Sequence, residues 1–172
     1  MKIINDSIVN DKLLKEASII INPTNPYMIS GSGISRLIFQ KAGKDELEKY
    51  CKEKYKTNMK VSEVRVTKGF DIPLDILFVQ GPKRYDYKTL DEAVKVLLQT
   101  CENLLDFCIE NNYKSILLPS LGTGVYGFKH EDVAEKALKL LTSEQYKLLD
   151  IKFVIYDKSV YNFYKNKLEE LK

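Results

Sequence analysis

Ser115-Ile116-Leu117-Leu118-Pro119-Ser120-Leu121-Gly122-Thr123-Gly124-Val125-Tyr126-Gly127 runs from a short aliphatic segment straight into a loop of small residues. A brief apolar run bounded by such a loop reads as a strand buried on both faces. Comparable runs recur at Ile19 to Ile21, Val64 to Thr67, Ile76 to Val79 and Phe153 to Tyr156, and Met1 to Ile4 and Ser7 to Val9 are candidates for an additional edge strand. Helical patterns lie between them. Leu90, Ala93, Val94, Leu97, Leu98, Cys101, Leu104, Leu105, Cys108 and Ile109 recur at three- and four-residue steps, which predicts one long amphipathic helix after Thr89 or Asp91. Further helices are predicted at Ser35 to Ala42, Asp45 to Tyr55, Glu131 to Leu141 and Val160 to Leu171. Strands alternating with helices predict an α/β layered domain with a largely parallel sheet and helices on both faces.

The composition narrows the class. A chain of 172 residues, 44% hydrophobic, can fill one core, and no linker-like stretch or internal repeat divides it, so residues 1–172 read as a single domain. Its 27 Lys and Arg against 24 Asp and Glu leave a charge of +3, without the excess that a polyanion-binding surface needs. Nucleic acid is therefore not an expected partner, and Lys83, Arg84 and Lys88 read as a solvated loop. Cys51, Cys101 and Cys108 form neither an even set nor a C-x-x-C pair, and a single histidine accompanies them, so a disulfide framework and a zinc site are poor readings. Cys101 and Cys108 fall on the apolar stripe of the long helix, as small buried hydrophobes do. No metal or cofactor is called for. The opening Met1 to Asp11 has no apolar core of a signal peptide, and the longest apolar runs fall far short of the roughly 18 residues of a membrane span. A cytoplasmic monomer is expected, away from the membrane.

In an open α/β sheet, ligands bind beyond the carboxyl ends of the strands. Two of those ends are unusual here. Asn22-Pro23-Thr24-Asn25-Pro26 follows one strand and leads to Gly31-Ser32-Gly33-Ile34 at the start of a helix, and the Pro119 to Gly127 loop follows another. Glycine lets backbone N–H groups approach a ligand closely, and N–H groups at a helix start suit phosphate. Gly122 to Gly127 satisfies G-x-G-x-x-G literally, but the helical pattern resumes only near Glu131, which is too late for a dinucleotide fingerprint. Neither glycine loop continues as Gly-Lys-Ser or Gly-Lys-Thr, so neither is a P-loop.

Asn22-Pro23-Thr24-Asn25, Gly31-Ser32-Gly33-Ile34, Gln80-Gly81-Pro82 and Pro119 to Gly127 occur in the order and spacing of the macrodomain (ADP-ribose-binding, Appr-1"-p processing) family, which the chain resembles over nearly its whole length. Family members typically read Asn-Ala-Ala-Asn, Gly-Gly-Gly-Val, Val-Gly-Pro and Pro-Ala-Ile-Ser-Thr-Gly-Val-Tyr-Gly, so the last motif is the best kept. The resemblance implies a three-layer αβα fold with a central mixed, largely parallel sheet. It also implies ADP-ribose, free or on a modified protein, as the partner in a cleft at the strand ends. By position, Asp6 within Asn5-Asp6-Ser7-Ile8 matches the acid that accepts from the adenine amino group, with Ser7 beside it, and Tyr156 matches the aromatic against the base. Gly31, Ser32, Gly33 and Ile34 form one implied wall around the diphosphate and distal ribose. Ser120, Leu121, Gly122, Thr123, Gly124, Val125 and Tyr126 form the other. Asn25 matches the asparagine that aligns the distal ribose, the one catalytic role the resemblance implies, and Asn22 is expected to hold the loop.

The resemblance also implies hydrolysis of ADP-ribosyl esters, on modified Asp or Glu or on O-acetyl-ADP-ribose. One hydrolytic branch of the family carries an aspartate where this chain has Ser35, and another a lysine where it has Phe39. Two readings therefore stay open, a modest hydrolase working by substrate positioning and a non-catalytic reader of ADP-ribose. His130 is expected at a helix start or on the surface.

Overall fold

A computed structural model describes residues 1–172. Strands β1 (Lys2–Asn5), β2 (Ile19–Pro23), β3 (Val64–Thr67), β4 (Asp75–Val79), β5 (Ser115–Leu118) and β6 (Asp150–Ile155) form one sheet. Helices α1 (Asp11–Glu16), α2 (Gly33–Ala42), α3 (Lys44–Lys54), α4 (Leu90–Glu110), α5 (His130–Leu141) and α6 (Lys158–Glu170) connect and follow them. The strand order is β1-β6-β5-β2-β4-β3. All neighbours pair in parallel except β3 and β4, which are antiparallel. The sheet is thus mixed and largely parallel, as expected.

Alternation along the strands divides the interior into two cores. Ile19 and Ile21 of β2 face the side that packs α4, α5 and α6, and Ile20 faces the side that packs α1, α2 and α3. Helices therefore cover both faces, giving three layers. β2 and β5 are buried almost throughout, and the edge strands β1 and β3 are only partly so, which is why the central strands read as unbroken apolar runs.

Thr89 caps α4, its Oγ1 accepting from the Glu92 N–H at 3.2 Å, so the helix begins at Leu90. Ala93, Val94, Leu97, Cys101, Leu104, Leu105 and Cys108 are buried along it. Ile109, expected on the same stripe, is 45% exposed: at 100° per residue it falls on the margin of the stripe that Cys101, Leu104, Leu105 and Cys108 occupy. All three cysteines are free and buried, and burial pushes the thiols of Cys51, Cys101 and Cys108 up to about 12. They behave as hydrophobes.

The N-terminal region corrects one expectation and adds an element. Met1 to Ile4 does supply an edge strand, but Ser7 to Val9 forms a turn, with the Asn10 N–H donating to Ser7 O at 3.1 Å. The short α1 follows, capped by Asn10, and was not legible in the apolar pattern. β6 begins earlier than expected, at Asp150, and ends at Ile155, which leaves Tyr156 beyond the strand. No helix is long and apolar enough to cross a membrane.

Leu104 is fully buried in the α4 core and Ile109 is not. Leu104→Ala should cost about 2–5 kcal/mol in urea unfolding, from lost burial and the cavity left behind. Ile109→Ala should stay within about 0.5 kcal/mol. Equal losses would contradict the helix orientation.

Candidate functional site

Because β2, β5 and β6 are adjacent and parallel, their carboxyl ends lie on one edge of the sheet. The chain must leave all three strands at that edge, and the departing loops enclose a cleft of about 570 Å³. That volume lies in the usual range for small-molecule sites.

From β2 come Pro23, Thr24 and Asn25, followed by Gly31, Ser32, Gly33, Ile34 and Ser35 at the head of α2. Ser32 makes no side-chain cap bond and no acidic residue stands in the first turn of α2. The unpaired N–H groups and the positive end of that ten-residue helix are therefore free to meet an anion. Gly33 adopts φ +57°, a left-handed conformation that a side chain would strain.

From β5 come Ser120, Gly122, Thr123, Gly124, Val125 and Tyr126, with His130 at the first residue of α5. Gly122 has φ +77°, and an added Cβ would lie 2.8 Å from the Phe128 ring. Gly124 is different: it lines the cleft with open space where a Cβ would go. Tyr126 fastens this loop to the neighbouring strand ends, its hydroxyl donating to Thr24 O at 3.2 Å and accepting from Gln80 Nε2 at 3.3 Å. From β6 come Val154, Ile155, Tyr156 and Asp157, with Val160 of α6 behind them. Tyr156 is 82% exposed, an aromatic face presented to solvent at the rim and not packed against the sheet edge.

Asn25 is both a loop residue and a cleft residue. Its Oδ1 accepts from the N–H groups of Tyr27 at 3.0 Å and Ile29 at 3.4 Å, and its Nδ2 donates to Ile29 O at 2.7 Å. Both lone pairs are used, so the amide has one N–H left for a ligand.

Four of the expected residues do not line the cleft. Asp6 lies where β1 ends, its N–H bonded to Ile155 O at 3.2 Å, and its Oδ1 accepts from the Ser7 N–H at 2.6 Å and Asn10 Nδ2 at 3.4 Å. Ser7 belongs to that same turn, its Oγ accepting from the Val9 N–H. Both stand next to the rim, since Asn5 Nδ2 bridges Ile155 O and Tyr156 O at 2.9 Å each. Leu121 points into the core formed with α4, α5 and α6. Asn22, expected to hold the loop, is fully buried on β2 and neither end of its amide has a partner.

Other groups join the site beyond the ligand contacts expected from the sequence. Thr24 and Ser35 line the cleft while buried, at 4% and 6% exposure, and the hydroxyl of each lacks a protein partner. Such hydroxyls are costly to bury unpaired, which makes them candidate ligand contacts. Phe39 is fully buried and carries no chemistry. The carboxylate in the cleft is Asp157, whose Oδ1 accepts from Ser159 Oγ at 2.6 Å and the Val160 N–H at 3.0 Å. Those bonds hold its carboxyl below the usual range. Burial lowers the His130 imidazole below its usual value, against the opposing charges of Glu131 and Asp157. No three His, Cys, Asp or Glu side chains gather as a metal site would require.

Comparison with known proteins agrees with this geometry. The sequence profile of the Macro domain matches residues 21–137. An O-acetyl-ADP-ribose deacetylase of Klebsiella pneumoniae is 29% identical over 172 residues, covering 94% of each chain. The ADP-ribose glycohydrolase MACROD1 of Rattus norvegicus is 28% identical over 77% of this chain, which spans about half, 51%, of that protein. Among solved structures, a mutant Oceanobacillus iheyensis macrodomain with ADPR superimposes with a TM-score of 0.86 at 28% identity, over 98% of this chain and 91% of the other. The profile match takes in the glycine loops of both strand ends and the sheet between them, and on that ground the chain belongs to the macrodomain family.

Proposed function

We propose that the cleft binds ADP-ribose, free or attached to protein, with residues 1–172 acting as one macrodomain. The observation that carries this reading is the convergence of an uncapped helix start and a glycine loop on one cleft that has an exposed aromatic at its rim. The α2 N-terminus and the Gly122 to Tyr126 loop suit a diphosphate held by backbone N–H groups without lysine. Tyr156 suits stacking on adenine, and the neighbouring Asp6 suits acceptance from its amino group. The Asn25 N–H, Thr24, Ser35 and Tyr126 suit the hydroxyl groups of the distal ribose. The deacetylase name of the Klebsiella relative and the ADPR in the Oceanobacillus structure support the same ligand.

Ester hydrolysis is the activity proposed beside binding, and it is slow. Ser35 brings no proton acceptor of its own to activate water, and Asp157 is committed to capping α6. What remains is positioning, with Asn25 and the two loops fixing the ribose so that water meets its ester. That same shortage of a free carboxylate favours the second reading, a macrodomain that reads ADP-ribose without turning it over.

Calorimetric titration with ADP-ribose, AMP and NAD in one buffer checks the proposal. ADP-ribose should bind at micromolar level and tightest of the three; no binding contradicts it. Gly124→Glu should leave the urea midpoint unchanged, because a Cβ there meets open space, yet abolish binding by placing a carboxylate in the phosphate cradle. Normal binding by this variant would move the diphosphate elsewhere. Asp6→Ala should weaken binding by roughly 1.5–3 kcal/mol, the scale of a charged hydrogen bond, and unchanged affinity would overturn the adenine contact.

A further inference from the structure

A chain of hydrogen bonds runs from the cleft surface into the core and back to the cleft. Thr123 Oγ1 lies 2.9 Å from Ser120 Oγ, Ser120 Oγ lies 3.3 Å from the Tyr164 hydroxyl, and that hydroxyl lies 3.0 Å from His130 Nδ1. Ser120, Thr123 and His130 all line the cleft, whereas Tyr164 of α6 is 1% exposed. The rings of Phe153, Phe163 and His130 meet the Tyr164 ring edge to face, with centroids 5.0, 5.4 and 5.4 Å away, so the phenol cannot turn elsewhere.

Burial gives the Tyr164 proton two acceptors, His130 Nδ1 and Ser120 Oγ. When Nδ1 is bare, Tyr164 donates to it and Ser120 is able to donate inward to Tyr164. When the imidazole is charged, Nδ1 donates to Tyr164, which must then donate to Ser120. The Ser120 proton is in that case directed to Thr123 or into the cleft.

We propose that His130 and Tyr164 are positioning residues for the Ser120 hydroxyl, which they turn toward the nucleotide diphosphate when the imidazole is protonated. This rests on the reading of the cleft as an ADP-ribose site. The charged groups facing His130 are Glu131 on α5 and Asp157 at the head of α6, which favour its charged form; burial opposes them and prevails in the free protein. Exposed Lys129 precedes it in the chain. Because the Ser120 proton is freed for the diphosphate only when His130 is protonated, nucleotide binding and protonation of His130 favour one another through the relay.

Calorimetric titration with ADP-ribose from about pH 7.5 to about pH 5.5 spans the imidazole window, in which the ligand's diphosphate does not titrate. Wild-type affinity should rise about five- to tenfold on acidification. Tyr164→Phe keeps the ring packing and the imidazole charge but should lose most of that rise, as should Ser120→Ala. A full rise in Tyr164→Phe would mean that His130 acts by charge alone and would overturn the relay, as would a flat wild-type profile. A second measurement is independent of the ligand. His130 is the sole histidine, so its imidazole nitrogen resonances are unambiguous. Tyr164→Phe should move the Nδ1 resonance of the neutral imidazole in the free protein, because that nitrogen loses its donor, and an unchanged resonance overturns the relay whether or not ADP-ribose binds.

Discussion

Parallel pairing of β5 between β2 and β6 is the constraint on which the rest depends. Parallel strands cannot be joined by tight turns, so each connection crosses back over the sheet and all three strands end at the same edge. The loops that follow have no strand partner of their own. Their small residues lie together because the sheet puts them there, and a cleft results before any side chain specifies a ligand. Tyr126 then closes its base by bonding to Thr24 O and Gln80 across three strand ends.

Chemistry in this cleft is supplied mostly by backbone. Gly33 and Gly122 take left-handed conformations and Gly124 leaves space, so the walls offer N–H groups in place of charged side chains. That arrangement suits a diphosphate while leaving the net charge of the chain near neutral. The side chains contribute hydroxyls, one spare amide N–H from Asn25, one histidine and the Asp157 carboxylate that caps α6. Binding is therefore better provided for than proton transfer.

Much of this was legible because it is local. The aliphatic runs marked β2, β3, β4 and β5 closely, and the three- and four-residue spacing marked α4, because burial on two faces or one stripe leaves a direct trace in residue order. The glycine loops were legible because the backbone at Gly33, Gly122 and Gly127 takes a left-handed conformation that favours glycine. Other features depend on what meets in space. α1 is too short to show a period, and Leu13 and Leu14 are its buried residues. The antiparallel direction of β3 is set by the stretch from Lys68 to Leu74, too short for a crossover, and leaves no mark in β3 itself. His130 sits in a bond with Tyr164, far along the chain on α6, and Thr24 and Ser35 acquire their importance from burial beside the cleft. Asn22 shows the opposite case, a motif residue whose amide holds nothing in the loop.

If backbone N–H groups at these strand ends grip the nucleotide, amide hydrogen exchange with and without saturating ADP-ribose reads the grip residue by residue. Protection should concentrate at residues 33–35, 122–126 and 155–157, the three segments that line the cleft from α2, the β5 loop and the end of β6. Protection confined to other parts of the chain, or none in these segments at saturation, would contradict it.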